Sequence, residues 1–546
     1  MEERIRKAVE AALAELGAGD VRFLVERPAD RSHGDYAVNA AMAAAKPLGK
    51  NPRDIAAELA EKLTPLLGGD AEKIEVAGAG FVNVTLSRNA ISSVVKNAQE
   101  KAWGQGKEND GARVMVEYTD PNPFKEMHIG HLMSNTIGEA VSRLTAASGA
   151  HVVRANYQGD VGPHVAKAIW ALRKAGNLTP NSAVEIAKAY THGSRAYEES
   201  AEAKEEIDAL NVAIYRGEDA ELMDLWRLGR QVSLDAFERI YAALGTKFDY
   251  YFFESEVAKE GMEVVKDGVT RGVFEESEGA VVYKGEKKGL HTLVFITSRG
   301  TPTYEAKEIG LAFEKEERWP SSLSLILTAA EQIGHFKVVK AALEDIAPAL
   351  GAKTMHIPHG FLRLTTGKMS SREGNVITAA ELLDDVRKLA EEKNPDPVIA
   401  EQVAIGAVKY MVLRQAAGQD IIFDPEKSLS LEGDSGPYLQ YALVRAKKLL
   451  TYANESSGDA VPDAPYVIER LIIYFPEVVA RAAKEHAPQL LTHYLTELAA
   501  EWNAFYATQQ VLGSPEEAYK QNVARAFANT MTRGLSLLGI PTPDKM

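Results

Sequence analysis

Two histidines flanking a glycine, in His128-Ile129-Gly130-His131, stand where a strand-like run gives way to a helix-like one. Val114 to Tyr118 is a short apolar run with β-branched and aromatic members, which predicts a buried strand. Two prolines and an Asx residue in Thr119-Asp120-Pro121-Asn122-Pro123 force a loop after it. Beyond Gly130, Leu132, Ile137, Val141 and Leu144 recur at near-helical spacing, so a helix starts about there. The open amides and positive dipole of such a helix start suit phosphate. The imidazoles can donate hydrogen bonds to phosphate oxygens, and the glycine lets a flat base approach the backbone. A second stretch, Gly367-Lys368-Met369-Ser370-Ser371-Arg372-Glu373-Gly374-Asn375, is a Gly-bounded loop with a lysine and two hydroxyls. Read alone it is equally a surface turn.

The elements that must position these residues fall into several units, since 546 residues exceed one core and imply three or four domains. Residues 1–105 read as a small α+β domain. Helical patterns cover Glu2–Leu16 and Pro52–Leu67, and Ile74 to Val84 alternates like strands around a Gly-rich turn. Residues 106–380 follow as the strand–loop–helix unit and its continuation. His151–Asn156 supplies the next strand, with Asn156 to Gly162 at its C-terminal end, where α/β sheets place ligands. Pro163 to about Glu256 is mostly helical and charged, an insertion in a Rossmann-type sheet that extends to about residue 290. A linking helical region, 381–430, contains a Pro-rich break at Asn394-Pro395-Asp396-Pro397. Residues 431–546 are helical, and Ser456–Pro465 reads as a flexible loop. The fold class is therefore α/β with a helical insertion, an N-terminal α+β domain and a C-terminal α-helical bundle.

Composition narrows the function. There is no cysteine, which removes disulfides, thiol catalysis and cysteine zinc sites together. No run of 18 apolar residues suggests a membrane span, and the N-terminal MEERIRKAVEAALAEL is amphipathic rather than a signal peptide, which points to the cytoplasm. The formal charge is −15. Residues 1–105 carry 14 basic and 15 acidic side chains, so the acid excess lies downstream. Net charge governs long-range field rather than local patches. A basic track for nucleic acid is compatible with it.

His128–His131, with Pro121-Asn122 and Lys125, resembles the HIGH signature of class I aminoacyl-tRNA synthetases in its arginyl form. The Lys368 stretch is similar to the KMSKS loop in the same form, with Arg372 at the second lysine. His33 to Asn39 and Val76 to Asn83 resemble the N-terminal domain that this family adds, which touches the outer corner of tRNA. Asn156 to Gly162 is similar to the family's N-x-x-GD-x-G segment, with Val161 for a usual tryptophan and Met133 for a usual arginine elsewhere. Gly433 to Arg445 and Arg533 to Ile540 resemble the helical anticodon-binding domain.

The resemblance implies ATP-dependent activation of L-arginine to arginyl-adenylate, then transfer to the terminal ribose of tRNA(Arg), by a monomer without an editing domain. It implies ATP with Mg²⁺, no zinc and no organic cofactor, and adenylation that needs bound tRNA. His128, Gly130, His131, Lys368, Met369, Ser370 and Ser371 would hold ATP. His128, His131, Lys368 and Lys125 would be catalytic, with Lys368 stabilising the departing pyrophosphate, a contact of about 2.7–4 kcal/mol. Glu117, Asn122, His131, Tyr304, Glu308 and Gln332 would hold arginine, and Glu117 and Asn122 would mainly meet its backbone amine and carboxylate. A guanidinium is a planar fork of five donors, so its pocket needs carboxylates and amide oxygens in one plane. Glu308 stands where the family usually has aspartate, one methylene shorter. Tyr438, Tyr441 and Arg445 lie on one helix face and would meet the anticodon loop, where aromatic rings stack on unpaired bases. Rival readings are an arginine-adenylating paralogue that charges no tRNA, a non-catalytic tRNA-binding protein, and another class I synthetase.

Overall fold

The computed structural model describes residues 1–365, 377–452 and 460–546. Its centre is a five-stranded sheet of parallel strands: Arg113–Glu117, His151–Gln158, Tyr250–Phe253, Leu323–Ala329 and Thr354–His359. Numbered in chain order, they lie side by side as 3-2-1-4-5. Val114, Met115 and Val116 are all buried, as a strand covered on both faces requires. The order reverses between the first and fourth strands. Sheets of this kind bind ligands at such a reversal, beyond the carboxyl ends of the strands.

The helix Ile129–Ala147 crosses from the first strand to the second, and almost every residue from Leu132 to Ala147 is buried. It lies between the sheet and the C-terminal helices, which explains an apolar content beyond a single stripe. Met133 is buried in this core, and Val161 in the insertion's core. Both departures from the family pattern are thus packing positions.

Four helices, Pro163–Lys174, Ala183–Glu199, Ala201–Arg216 and Ala220–Leu244, form the insertion. Val165, Ile169, Ile186, Ile207, Leu225 and Trp226 give it its own core. The chain then makes a three-stranded antiparallel sheet, Glu275–Ser277, Ala280–Tyr283 and Leu293–Ile296. Sequence reading did not foresee it, because its strands are three or four residues long, too short to show alternation.

The N-terminal unit is a four-stranded antiparallel sheet with helices Glu2–Glu15, Ala40–Leu48 and Pro52–Leu67. The last begins at Asn51, whose side chain accepts from the Arg53 amide at 2.9 Å, with proline at the first helical position. The C-terminal bundle is built from helices including Gly436–Thr451, Pro488–Thr508 and Glu517–Leu537. Trp502 is its fully buried anchor, stacked on Phe527 with ring centroids 4.5 Å apart. Truncating such a residue costs about 3–5 kcal/mol. The 381–430 region is helical over Ala379–Lys393 and Pro397–Leu413, but it also supplies a strand, Ile421–Phe423, parallel to Leu362–Leu364. Of the expected flexible loop at 456–465, residues 456–459 lie outside the described residues, and 460–465 form neither helix nor strand.

The first and last units are tied by charged pairs. Buried Asp35 pairs with Arg470, accepts from the Leu86 amide at 2.7 Å, and receives the Tyr474 hydroxyl on its backbone oxygen at 2.7 Å. Arg88 meets fully buried Glu469 at 2.8 Å, and the Tyr36 hydroxyl donates to Glu477 at 2.7 Å. No described helix is long and apolar enough to cross a membrane.

Candidate active site at the carboxyl ends of the central sheet

The loop that leaves the first strand is held in an unusual shape. Thr119, Asp120 and Phe124 all have positive φ, of 81°, 48° and 68°, a region that L residues seldom occupy. Side chains from two helices hold it. The Thr119 amide donates to Ser134 Oγ at 2.9 Å, Asn135 donates to the Thr119 hydroxyl at 3.0 Å, and the Phe124 amide donates to Ser233 Oγ at 3.0 Å. Tyr118, just upstream, donates to Glu139 at 2.6 Å. A Cβ on Gly138 would meet the Tyr118 ring at 2.2 Å, so only glycine admits it there.

The histidines follow at the helix start. His128 Nδ1 accepts from the Gly130 amide at 3.1 Å, and His131 Nδ1 accepts from the His128 amide at 3.1 Å. The rings stack with centroids 3.7 Å apart. An accepting Nδ1 assigns the proton of each neutral ring to Nε2. Both rings are held neutral. The protein mass around His128, then the Lys125 and His359 charges, depress its pKa. His131 lies well below the usual range, for the same burial and the neighbouring His128, His359 and Lys125. The pair therefore presents two neutral Nε2–H donors at the helix start, whose own amides, expected open from the sequence, already donate: Ile129 to the Ile377 carbonyl, Gly130 to His128 Nδ1, and His131 and Leu132 to the His128 carbonyl. Gly130 is needed, because a Cβ there would press on the His128 ring at 3.0 Å.

Lys125 sits 4.8 Å from the Tyr190 ring of the insertion. His359, buried at the end of the last strand, donates from Nδ1 to the Gly360 carbonyl at 2.8 Å, which leaves its Nε2 an acceptor. Lys368, Met369, Ser370 and Ser371 lie outside the described residues. The chain that follows them is tied to the histidines. The Ile129 amide donates to the Ile377 carbonyl at 3.2 Å, and the Ala379 amide to the Met127 carbonyl at 2.7 Å.

Across the switch point several carboxylates gather near one another. Glu117, at the end of the first strand, is buried and paired with buried Lys315. Glu254, just past the third strand, pairs with buried Lys307 at 2.6 Å. Asp160, in the Asn156–Gly162 segment, accepts from the Ser255 amide at 2.9 Å and pairs with Arg230 at 3.1 Å. Asn122 packs so close to Gly159 that a Cβ there would lie 2.2 Å from its side-chain oxygen. Glu308 lies one turn into the helix Tyr304–Arg318. Burial and the charge of Glu117 raise its pKa to about 7. Tyr304, at the start of that helix, is 61% exposed. Gln332 is exposed in the turn after the fourth strand, and His335 reaches Glu305 at 3.4 Å.

The structure thus brings Glu117, Asn122, His128, Gly130, His131, Tyr304, Glu308 and Gln332 to the carboxyl ends of the sheet. Sequence reading missed Asp120, Tyr157, Gln158, Glu254 and His359. Tyr157 and Gln158 are buried, yet the Tyr157 hydroxyl and both amide atoms of Gln158 have no partner among the described residues. Orphaned buried groups of this kind need an explanation, and a polar ligand supplies one. Their position at strand ends was the available signal. Far from this cleft, Arg445 stacks between Tyr441 and Tyr506, 5.5 and 4.2 Å from the ring centroids. Tyr438 is half-buried one turn earlier.

A parallel sheet in 3-2-1-4-5 order, with paired histidines capping the first crossover helix, defines a class I aminoacyl-tRNA synthetase. A family model described as "tRNA synthetases class I (R), catalytic domain" matches residues 91–425. The "Arginyl tRNA synthetase N terminal domain" matches residues 3–86, and the "DALR anticodon binding domain" matches 439–546. The chain belongs to the arginyl-tRNA synthetase family. An arginine–tRNA ligase of Pediococcus pentosaceus is 31% identical over 99% of this chain and 100% of its own length. One from Halothermothrix orenii is 28% identical over 100% and 99%. The solved Thermus thermophilus arginyl-tRNA synthetase superposes with a TM-score of 0.84 at 28% identity, covering 100% of both chains. The Plasmodium falciparum arginyl-tRNA synthetase, at 19% identity and TM-score 0.82, shares the fold over 100% and 99%.

Proposed function

We propose that this ligase activates L-arginine with ATP in the cleft between the first and fourth strands and passes the arginyl group to the terminal ribose of tRNA(Arg). The observation that carries the reading is the pairing of two neutral imidazole donors at a helix start with unpaired carboxyls across the switch point. One end suits triphosphate, the other a guanidinium.

In the first step an arginine carboxylate oxygen attacks the α-phosphorus of ATP, the bond to the β-phosphate bridge breaks, and pyrophosphate leaves. No proton need move, so the residues act by positioning and by stabilising charge. His128 and His131 donate from Nε2 to phosphate oxygens, and the Gly130 backbone lies against the base. Lys125 and Lys368 add positive charge as pyrophosphate departs, with Met369, Ser370 and Ser371 in the same ATP-binding loop. MgATP is the substrate form, its ion carried by the phosphates. Glu308, Tyr304 and Gln332 hold the guanidinium end, while Glu117, Asn122 and His131 frame the amine and carboxylate. Tyr438, Tyr441 and Arg445 meet the anticodon loop; the Arg445 stack supports this, since an aromatic–guanidinium surface accepts unpaired bases. The domain division at about 105, 380 and 430 and a cytoplasmic monomer complete the reading.

ATP–pyrophosphate exchange, run with arginine, lysine and glutamine and with or without tRNA(Arg), tests it. Exchange confined to arginine and dependent on tRNA is expected. Arginine exchange indifferent to tRNA would indicate a paralogue that only adenylates. No exchange with any of the three amino acids would remove the proposal.

A further inference from the structure

Charge bookkeeping within the pocket, taken on the arginine-pocket reading above, separates its carboxylates into two kinds. Glu117 and Glu254 are each matched by a buried lysine, Lys315 and Lys307. Asp120 and Glu308 have no basic group within ion-pair reach among the described residues. Free arginine at neutral pH carries two cations, the guanidinium and the α-ammonium, beside one carboxylate. Two unmatched acids face two cations.

The two acids differ in place. Glu308 projects from the helix Tyr304–Arg318, two turns from the Lys315 that pairs with Glu117. Asp120 lies in the loop that runs from Glu117 to Asn122, the wall that leads to the histidines. Its Oδ1 accepts from the Tyr157 amide at 2.8 Å, which fixes the carboxyl across the end of the neighbouring strand. That strand end carries the unpartnered Tyr157 hydroxyl and Gln158 amide. The left-handed backbone, with φ of 48° at Asp120, turns the residue off the strand direction. Nothing in the loop's own hydrogen bonding requires a charge at this position, since a neutral amide oxygen would serve the Tyr157 amide equally.

We infer that Asp120 is a specificity-determining residue that takes the α-ammonium of arginine, leaving Glu308 for the guanidinium. Glu117, with its charge already answered by Lys315, shapes the same wall. The groups facing Asp120 are Glu117, Glu308 and Lys315. Burial and the Glu117 charge raise its pKa well above the carboxylate range, with Lys315 opposing. An arriving ammonium therefore favours the ionised form of Asp120, as the guanidinium does at Glu308.

The test is calorimetric titration of the full-length wild type and Asp120→Asn with L-arginine and with its α-hydroxy analogue, which lacks the ammonium. Asparagine keeps an oxygen for the Tyr157 amide and tolerates left-handed backbone, so it removes little but the charge. D120N is expected to weaken L-arginine about 30-fold, within the range for a hydrogen bond to a charged group, and to leave the analogue within threefold of wild type. Equal weakening of both ligands by D120N would overturn the assignment and leave Asp120 a loop-shaping residue. A wild type that binds L-arginine no better than L-lysine would overturn the pocket itself, and this assignment with it.

Discussion

At the histidine end of the cleft the rings are already fixed in place. His128 and His131 each use Nδ1 on a backbone amide, stack on one another, and stay neutral. At the carboxylate end the accounts are open: Asp120 and Glu308 form no ion pair among the described residues, and the Tyr157 hydroxyl has no hydrogen-bond partner among them. The first end is preorganised for a ligand whose charge varies along the reaction. The second is left electrostatically incomplete, so that only a dication completes it. Preorganisation favours the transition state, whereas an unmatched charge favours selection at binding.

The largest effect should come from the open end. Glu308→Gln keeps volume and one acceptor but deletes the charge, and should lower kcat/KM for arginine about 10²–10³-fold, as loss of a buried charge partner does. The KM for ATP should stay within threefold. A comparable rise in the ATP KM in exchange assays would erase the contrast between the two ends. His128→Ala should act the other way. A lost donor in a preformed anion site costs about 10² in kcat, here with the arginine KM little changed.

A smaller effect sharpens the comparison without mutation. Glu308 must be ionised to meet guanidinium, and its pKa of about 7 is raised, so the free enzyme holds a proton there below that pH. Arginine KM should fall about tenfold from pH 6 to pH 8. The ATP KM should change less over that window, because burial depresses the His128 and His131 pKa values and moves both rings away from titration there. Parallel slopes for the two substrates in initial-rate profiles would count against it. Smallest of all, Tyr441→Ala lies outside the cleft and should raise only the tRNA KM, about fivefold, the low end for one base–aromatic stack.

The strand–loop–helix at the histidines was legible because it is local: an apolar run, two prolines and a 3.6-residue period lie within about 30 consecutive residues. The helix begins at Ile129, one residue from the sequence estimate, and Pro52–Leu67 coincides with its estimate. The pocket's pairing scheme was not legible. Lys315 answers Glu117 from 198 positions away in the sequence, and neither residue carries a local mark of it. Asp120 read as turn chemistry, which it also is. Glu254 went unnoticed because Phe-Phe-Glu-Ser resembles any strand end until the sheet order sets that end beside Glu117 and Tyr157.

The bonds between the first and last units set a timetable for the growing chain. Asp35 is buried, and its partner Arg470 is made 435 residues later. Glu477, which receives the Tyr36 hydroxyl, follows 441 residues behind it. At ribosomal speeds of about 5–20 residues per second, the N-terminal unit waits on the order of 20–90 s with an exposed acid and an unanswered tyrosine before the bundle arrives. During that interval a half-made chain presents the surface that the finished bundle later covers.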